Sequence, residues 1–110
     1  MARERFLRWT LEEDPSLADL VRLCPAQPPV ARPSLREAVP CVASGVAADG
    51  AECYVVCSTG VDLDLAPYVA DVQRMTDIDV VVALPERDHV PITDELLGLL
   101  LRAVIVRTVG

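Results

Sequence analysis

Residues 53–60 (CYVVCSTG) place the strongest constraint on the fold of this 110-residue chain. The stretch is apolar and rich in β-branched residues, and it ends in a small-residue turn, which is typical of a buried strand. Asp49-Gly50 comes shortly before it, and both positions of such a pair tolerate the positive φ that a tight turn needs. The sequence therefore predicts a β-hairpin made of residues 39–46 and 52–59.

Two strand–helix alternations follow the hairpin. Residues 67–75 carry apolar side chains at helical spacing, and residues 79–84 (DVVVAL) are apolar on both faces, as in a strand that is covered on both sides. A second helix, opened by Thr93-Asp94-Glu95 and continued over residues 96–101, and a last strand over residues 103–109 complete the pattern. The predicted fold is α/β, a small mixed sheet in the order α-β-β-α-β-α-β, with its last three strands parallel and joined by right-handed crossovers.

The N-terminal part, residues 1–24, is predicted to be a helical arm. Trp9 is expected to pack this arm onto the sheet or to act as a surface anchor, and Asp14-Pro15 would begin a second helix that ends at Pro25. Residues 25–33 hold four prolines and form a stiff connector. We expect a single domain over residues 1–110, in which residues 34–110 are the α/β core.

Composition narrows the classes of function. The net charge of −7 argues against a general nucleic-acid binder and is compatible with a basic protein partner. All ten basic residues are arginines, so a P-loop lysine, a Schiff base and a lysine general base are excluded. The sequence contains no run of 18 apolar residues, so no membrane span is expected. No apolar signal region follows the first arginines, so secretion is not expected either. A cytoplasmic protein without a cofactor is the expectation.

The four cysteines, Cys24, Cys41, Cys53 and Cys57, are predicted to be reduced thiols that act as small hydrophobic residues. Cys53 and Cys57 share one face of the same strand and lie too far apart for easy bridging. Cys41, on the partner strand, should lie opposite or diagonal to Cys57. A Cys/His metal site lacks a close ligand pair to anchor it.

Polar residues follow two neighbouring strands that should end at the same edge of the sheet. Thr59, Asp62 and Asp64 follow the first strand, and Asp88 and His89 follow the second. Carboxylates and imidazole suit Mg²⁺, Mn²⁺ or Fe, whereas Thr59 beside a helix N-terminus suits a phosphate. The structural alternatives are a helix cap for Asp62 or Asp64, a solvated turn, and an ordinary surface histidine.

The leucine-rich segment at residues 96–101 is the other unusual feature. Its five leucines cover more than one helical stripe, so either the N-terminal arm or a second subunit would have to cover them. The last strand has no lysine or proline to guard its edge. These features predict a homodimer formed through the C-terminal half, with Leu97, Leu100, Leu101 and Trp9 as interface residues.

The element order around an Asp-Gly hairpin resembles the PD-(D/E)XK nuclease superfamily over residues 34–109. The superfamily's Glu-x-Lys motif would fall at residues 57–59 and its helical Gln position at residues 71–73. The acid of the first hairpin strand would fall at residues 41–44, where this chain has none. Since the catalytic positions differ, the resemblance implies a degenerate, non-cleaving relative.

Two hypotheses for function follow. The first is a non-catalytic acidic interaction or accessory module that acts through protein–protein contacts and self-association. The second is a metal- or phosphate-binding, degenerate nuclease-like domain that uses the acidic cluster at the carboxyl ends of the parallel strands. The absence of lysine and of a second histidine favours the first, and no catalytic residue is assigned.

Overall fold

The computed structural model describes residues 3–26, 41–60, 65–100 and 102–109. Along these residues run three α-helices, five β-strands and two short 3₁₀ turns. The helices are α1 (Arg3–Glu13), α2 (Leu65–Met75) and α3 (Pro91–Leu97), and the 3₁₀ turns are Pro15–Ala18 and Glu86–Asp88. The strands are β1 (Arg22–Pro25), β2 (Cys41–Val46), β3 (Glu52–Cys57), β4 (Asp79–Pro85) and β5 (Ile105–Val109). The prediction of a mixed α/β fold is confirmed.

The strands form one sheet in the order β1-β2-β3-β4-β5. The first three strands are antiparallel, and β3, β4 and β5 are parallel, as predicted for the hairpin and the strands that follow it. In the hairpin turn, Gly50 has a φ of 87°, and the Asp49 carboxylate accepts a hydrogen bond from the Ala51 N–H at 2.9 Å. The Asp-Gly pair therefore forms the predicted turn, with the positive φ at Gly50 and not at Asp49. Cys41 and Cys57 pair directly across the hairpin.

The second helix predicted for residues 15–24 is wrong. Only the 3₁₀ turn Pro15–Ala18 is helical, and it ends at Asp19, whose φ of 59° lies in the left-handed region. The chain then enters β1, which pairs with β2 at one edge of the sheet. Backbone hydrogen bonds to the edge of β2 favour an extended chain here more than the spacing of the apolar residues favours a helix. Tertiary context therefore overrides local propensity in this segment.

Gly45 of β2 allows the chain to approach the sheet closely before β1. Leu20 is buried here, and a Cβ atom added to Gly45 would lie 2.8 Å from Leu20 Cδ1 and 3.1 Å from Cys53 Sγ. Such distances require the Leu20 and Cys53 side chains to shift before a larger residue can be placed here. The chain thus depends on a residue without a side chain at this crossing.

Both faces of β4 carry buried side chains, which confirms the prediction for this strand. On one face, Leu7 and Leu11 of α1 pack with side chains from β3 and β4. On the other face, Val69 and Val72 of α2 and Leu97 of α3 pack over the alternate residues of the same strands. Burying a leucine of this kind stabilises the fold by about 1.5–3 kcal/mol, so Leu7 and Leu11 fix α1 in place.

Trp9 does not pack the arm onto the sheet, and that prediction is wrong. Its side chain is 50 % exposed and stacks on Phe6, which is 57 % exposed, with ring centroids 5.9 Å apart. The residues that hold α1 lie on its opposite side. The two aromatic rings therefore form an exposed patch on the outer surface of α1.

The leucine-rich segment is mostly not helical. α3 begins at Pro91 and ends at Leu97, so the predicted opening at Thr93-Asp94-Glu95 lies within the helix, but the predicted extension over residues 98–100 is wrong. α3 shares its face of the sheet with α2, and α1 lies on the opposite face, so the arm does not cover these leucines. Leu97 is buried in the core of its own chain and Leu100 packs against it, whereas Leu99 is 79 % exposed. Leu101 lies outside the described residues.

The predicted connector at residues 25–33 lies outside the described part of the chain, except for its first two residues. Of these, Pro25 belongs to β1, and the Ala26 N–H donates to the Val42 carbonyl at 3.2 Å. None of the described helices is long and apolar enough to cross a bilayer.

We predict that Cys24 reacts with iodoacetamide in the folded protein, whereas Cys53 and Cys57 react only on unfolding. Cys24 is exposed, whereas Cys53 and Cys57 are buried. Burial, with a further contribution from the negative charge of Asp79, raises the pKa of the Cys53 thiol and so lowers its thiolate fraction at a given pH. Mass spectrometry at successive times of alkylation without reductant, in native and denaturing buffer, provides the measurement. Rapid native labelling of Cys53 would contradict the prediction.

Candidate binding cleft at the carboxyl ends of the parallel strands

The α1 side of the sheet is incompletely covered. α1 packs against β1, β2 and β3, and the turn Pro15–Ala18 packs against β5, where Asp19 forms an ion pair of 3.2 Å with Arg107. Neither element covers the carboxyl ends of β4 and β5. An open cleft of about 700 Å³ lies there, between Phe6 and Thr10 of α1 on one side and Pro85–Arg87 on the other.

This cleft is predominantly apolar. Phe6, Leu7, Pro85 and Val109 contribute to its lining, together with a few polar groups. Its volume lies within the range of about 300–1,000 Å³ that is usual for ligand pockets, and it sits where α/β sheets commonly bind ligands. The cleft is therefore the candidate functional site.

A buried polar pair lies beside the cleft. The Thr59 hydroxyl donates a hydrogen bond to the Glu4 carboxylate, and these residues are only 8 % and 4 % exposed. Glu4 lies on the same helical stripe as Leu7 and Leu11, which explains its burial. Thr59 was predicted as a site residue and Glu4 was not, although the spacing of 4, 7 and 11 was a signal for it.

Asp88 connects three parts of the fold. Its carboxylate accepts a hydrogen bond from the Gly60 N–H at 2.8 Å and faces the Arg3 guanidinium at 3.3 Å. Gly60 has a φ of 71°, which a residue with a side chain rarely adopts. Asp88 thus ties the end of β3 and the start of α1 to the turn after β4, and its side chain is only 14 % exposed.

His89 points to a different partner. Its Nε2 atom lies 2.8 Å from both carboxylate oxygens of Asp94 on α3, so the imidazole pairs with that helix. Asp62 and Asp64 lie outside the described residues. Within the described ranges, no group of three or more His, Cys, Asp or Glu side chains is arranged to hold a metal ion. Of the predicted set, Thr59 and Asp88 lie near one another, while His89 is engaged elsewhere.

The rim of the cleft carries exposed charges that sequence reasoning did not select. Arg3, Glu86 and Arg87 line the cleft, and the last two lie in the segment predicted to be a solvated turn. Among the described residues, no carboxylate lies within ion-pair distance of the Arg87 guanidinium. Arginine commonly binds carboxylates and phosphates through its planar donors, so Arg87 is available to an anionic group.

The buried polar side chains of the described residues leave no unused hydrogen-bonding group. None of the buried side-chain nitrogen and oxygen atoms in the described ranges lacks a hydrogen-bond partner. Glu4, Asp88 and His89 are each engaged by another group of the same chain. The cleft therefore offers a partner mainly apolar surface and one available arginine.

Comparison with known proteins adds no relative to this description. The chain matches no family model, no curated protein and no solved structure.

We predict that Thr59→Val destabilises the fold by about 1–3 kcal/mol, because it removes the hydroxyl that satisfies the buried Glu4 carboxylate. Urea denaturation measures the change. Thr10→Val is the matched control: the Thr10 hydroxyl bonds the Phe6 carbonyl on the surface of α1, so its loss should cost no more than about 0.5 kcal/mol. If both variants lose the same free energy of unfolding, the buried Glu4–Thr59 hydrogen bond contributes no more to stability than an exposed one, which would contradict the prediction.

We predict that the wild-type protein does not bind Mn²⁺ with micromolar affinity, because the Asp88 carboxylate is already bonded by Gly60 and Arg3. Isothermal titration calorimetry tests this in wild type, in Asp88→Ala, and in Asp71→Ala as a control acid on α2. Micromolar binding that is lost in Asp88→Ala and retained in Asp71→Ala would refute the prediction and favour a metal site.

Proposed function

We propose that this chain is a non-catalytic interaction module that acts through protein–protein contacts, including contacts with a second copy of itself. The observation that carries the proposal is a contrast within the described surface. Thr59, Asp88 and His89 at the carboxyl edge each bond to another group of the chain, whereas large apolar side chains such as Phe6, Trp9 and Leu99 stand exposed. A catalytic side chain must be able to hydrogen-bond or transfer a proton to a substrate, which a side chain already bonded within the protein does less readily. A protein-binding surface instead needs exposed apolar area that loses contact with water on binding.

Two further features support contact with proteins. Exposed aromatic rings are enriched where proteins bind one another, because they bury a large area at a small entropic cost. The net charge of −7 favours a basic partner, since opposite charges speed encounter. The proposed partners are therefore a second copy of the chain and a basic protein.

A second candidate is the phosphate-binding, degenerate nuclease-like domain that the PD-(D/E)XK resemblance implies. The observation that favours it is Arg87, which lies on a cleft at the carboxyl ends of parallel strands. Titration of inorganic phosphate into wild type and Arg87→Gln separates the two candidates. Binding that is lost in Arg87→Gln supports this second function, and an absence of binding supports the interaction module.

The interaction module predicts reversible self-association at micromolar concentration. Exposed large apolar side chains, among them Phe6 and Trp9, give the driving force, since those at the interface would lose contact with water in a dimer. Sedimentation velocity of the wild-type protein over a wide range of concentration measures the association. A single monomeric species at the highest concentration would refute self-association.

A further inference from the structure

We infer that α1 is the self-association surface, and that it pairs antiparallel with α1 of a second copy about a two-fold axis at Trp9. The inference rests on the proposed function, because it takes self-association as given. It assigns the surface and the geometry, which the proposed function leaves open. Three observations on α1 support it: its exposed stripe, the order of its charges and the place of its aromatic pair.

The outer face of α1 is a stripe with residues four positions apart. Arg5, Trp9 and Glu13 are all exposed and lie opposite the buried stripe that includes Leu7 and Leu11. Residues at this spacing lie one above the other along a helix. A basic residue, an aromatic ring and an acidic residue therefore follow one another in a line along the surface.

The charges of this stripe are complementary to those of a second, antiparallel copy of it. A two-fold rotation about Trp9 sets Arg5 of one copy opposite Glu13 of the other, and it does so twice. Within the described part of the molecule, neither Arg5 nor Glu13 forms an ion pair, whereas Arg8 and Glu12 on the flank of the same helix do, at 3.3 Å. The charges that a second copy would meet are thus the ones that this chain leaves available.

The charge order of α1 is unfavourable for the helix alone. Arg3 and Arg5 lie in the first turn beside one acid, Glu4, and the last turn holds two acids and no basic residue. The helix dipole favours the opposite arrangement, typically by 0.3–1 kcal/mol for each charge. An antiparallel neighbour brings its own N-terminus and arginines to this acidic end. The pairing therefore offsets an electrostatic cost that the isolated subunit bears.

The aromatic pair lies at the middle of the proposed interface. Trp9 and Phe6 stack near the centre of an 11-residue helix, with the charges of Arg5 and Glu13 on either side. A central aromatic anchor with charges at the rim is the usual anatomy of a protein–protein interface. A helix of this length spans only about 16 Å, so the contact is small and the dimer should be weak and reversible.

The C-terminal surface fits a second copy less well. Of the interface residues predicted there, Leu97 is 5 % exposed and Leu100 packs against its own core, which leaves Leu99 as the large exposed leucine of the described segment. The edge of β5 carries Arg107, which a two-fold antiparallel pairing centred on that residue would set against its own symmetry mate. Like charges placed directly opposite destabilise strand pairing.

The test is a charge swap on α1, measured by sedimentation equilibrium at low salt. Arg5→Glu and Glu13→Arg should each raise the dimer Kd by about tenfold, because each replaces two attractive pairs by two repulsive ones. The double variant should return the Kd close to the wild-type value, since opposite charges face each other again. Trp9→Ala should raise the Kd by about tenfold or more. Arg74→Glu is the control. Arg74 is exposed on α2, in the layer on the opposite face of the sheet, so this change should leave the Kd unchanged.

Circular dichroism of each variant confirms that the subunit is folded. If the double variant remains as weak as the single ones, the antiparallel arrangement is overturned. If Leu99→Glu abolishes the dimer and the α1 variants do not, the C-terminal surface is the interface; this inference then fails while the proposed function stands. A wild-type protein that stays monomeric refutes the self-association on which both depend.

Discussion

The burial of β3 and β4 on both faces is the constraint on which the rest of the structure depends. A strand that is apolar on both sides needs a layer above and a layer below. α2 and α3 form one layer, and they can do so because each connects two neighbouring parallel strands. The other layer has to come from outside the strand–helix alternation, and the chain supplies it with α1. Since one helix and one 3₁₀ turn form that second layer, an opening is left above the ends of β4 and β5, and the candidate cleft follows directly from this shortage.

The same shortage explains the polar contacts around the cleft. α1 has to be positioned against a sheet to which it is connected only through a turn and β1, so side-chain bonds fix its first turn. Glu4 is anchored to Thr59 after β3, and Arg3 faces Asp88 in the turn after β4. A buried carboxylate is costly unless it is bonded, which makes these contacts specific as well as stabilising. Residues of the types found in metal and phosphate sites thus hold a helix in place.

The sequence predicted the elements whose signals are local. A few neighbouring residues are enough to predict three of these elements. They are β3 with its β-branched run, β4 with its apolar residues on both faces, and the Asp49-Gly50 turn. The sequence pattern does not predict β1, because an edge strand of four residues with one buried residue, Leu23, shows no alternation of apolar and polar side chains. Its partner, β2, also lies far away in the chain. The site was only partly predictable for a similar reason. Topology brought Thr59 and Asp88 to one edge, but the orientation that sends His89 to Asp94 depends on the turn Glu86–Asp88 and the start of α3, which the sequence pattern does not encode.

The simple order of the strands has a consequence for how the molecule assembles as it is synthesised. Each strand lies beside the one that precedes it in the chain, so the sheet can grow by one strand at a time and no later segment has to insert between two earlier ones. Such neighbour-by-neighbour growth keeps loop-closure costs low and favours fast folding. α1 is the exception, because it precedes the strands and its apolar stripe is fully covered only when β1, β2 and β3 have all been made. The growing chain therefore exposes Leu7 and Leu11 together with Phe6 and Trp9 for a time, and during that interval α1 is open to chaperones and to aggregation.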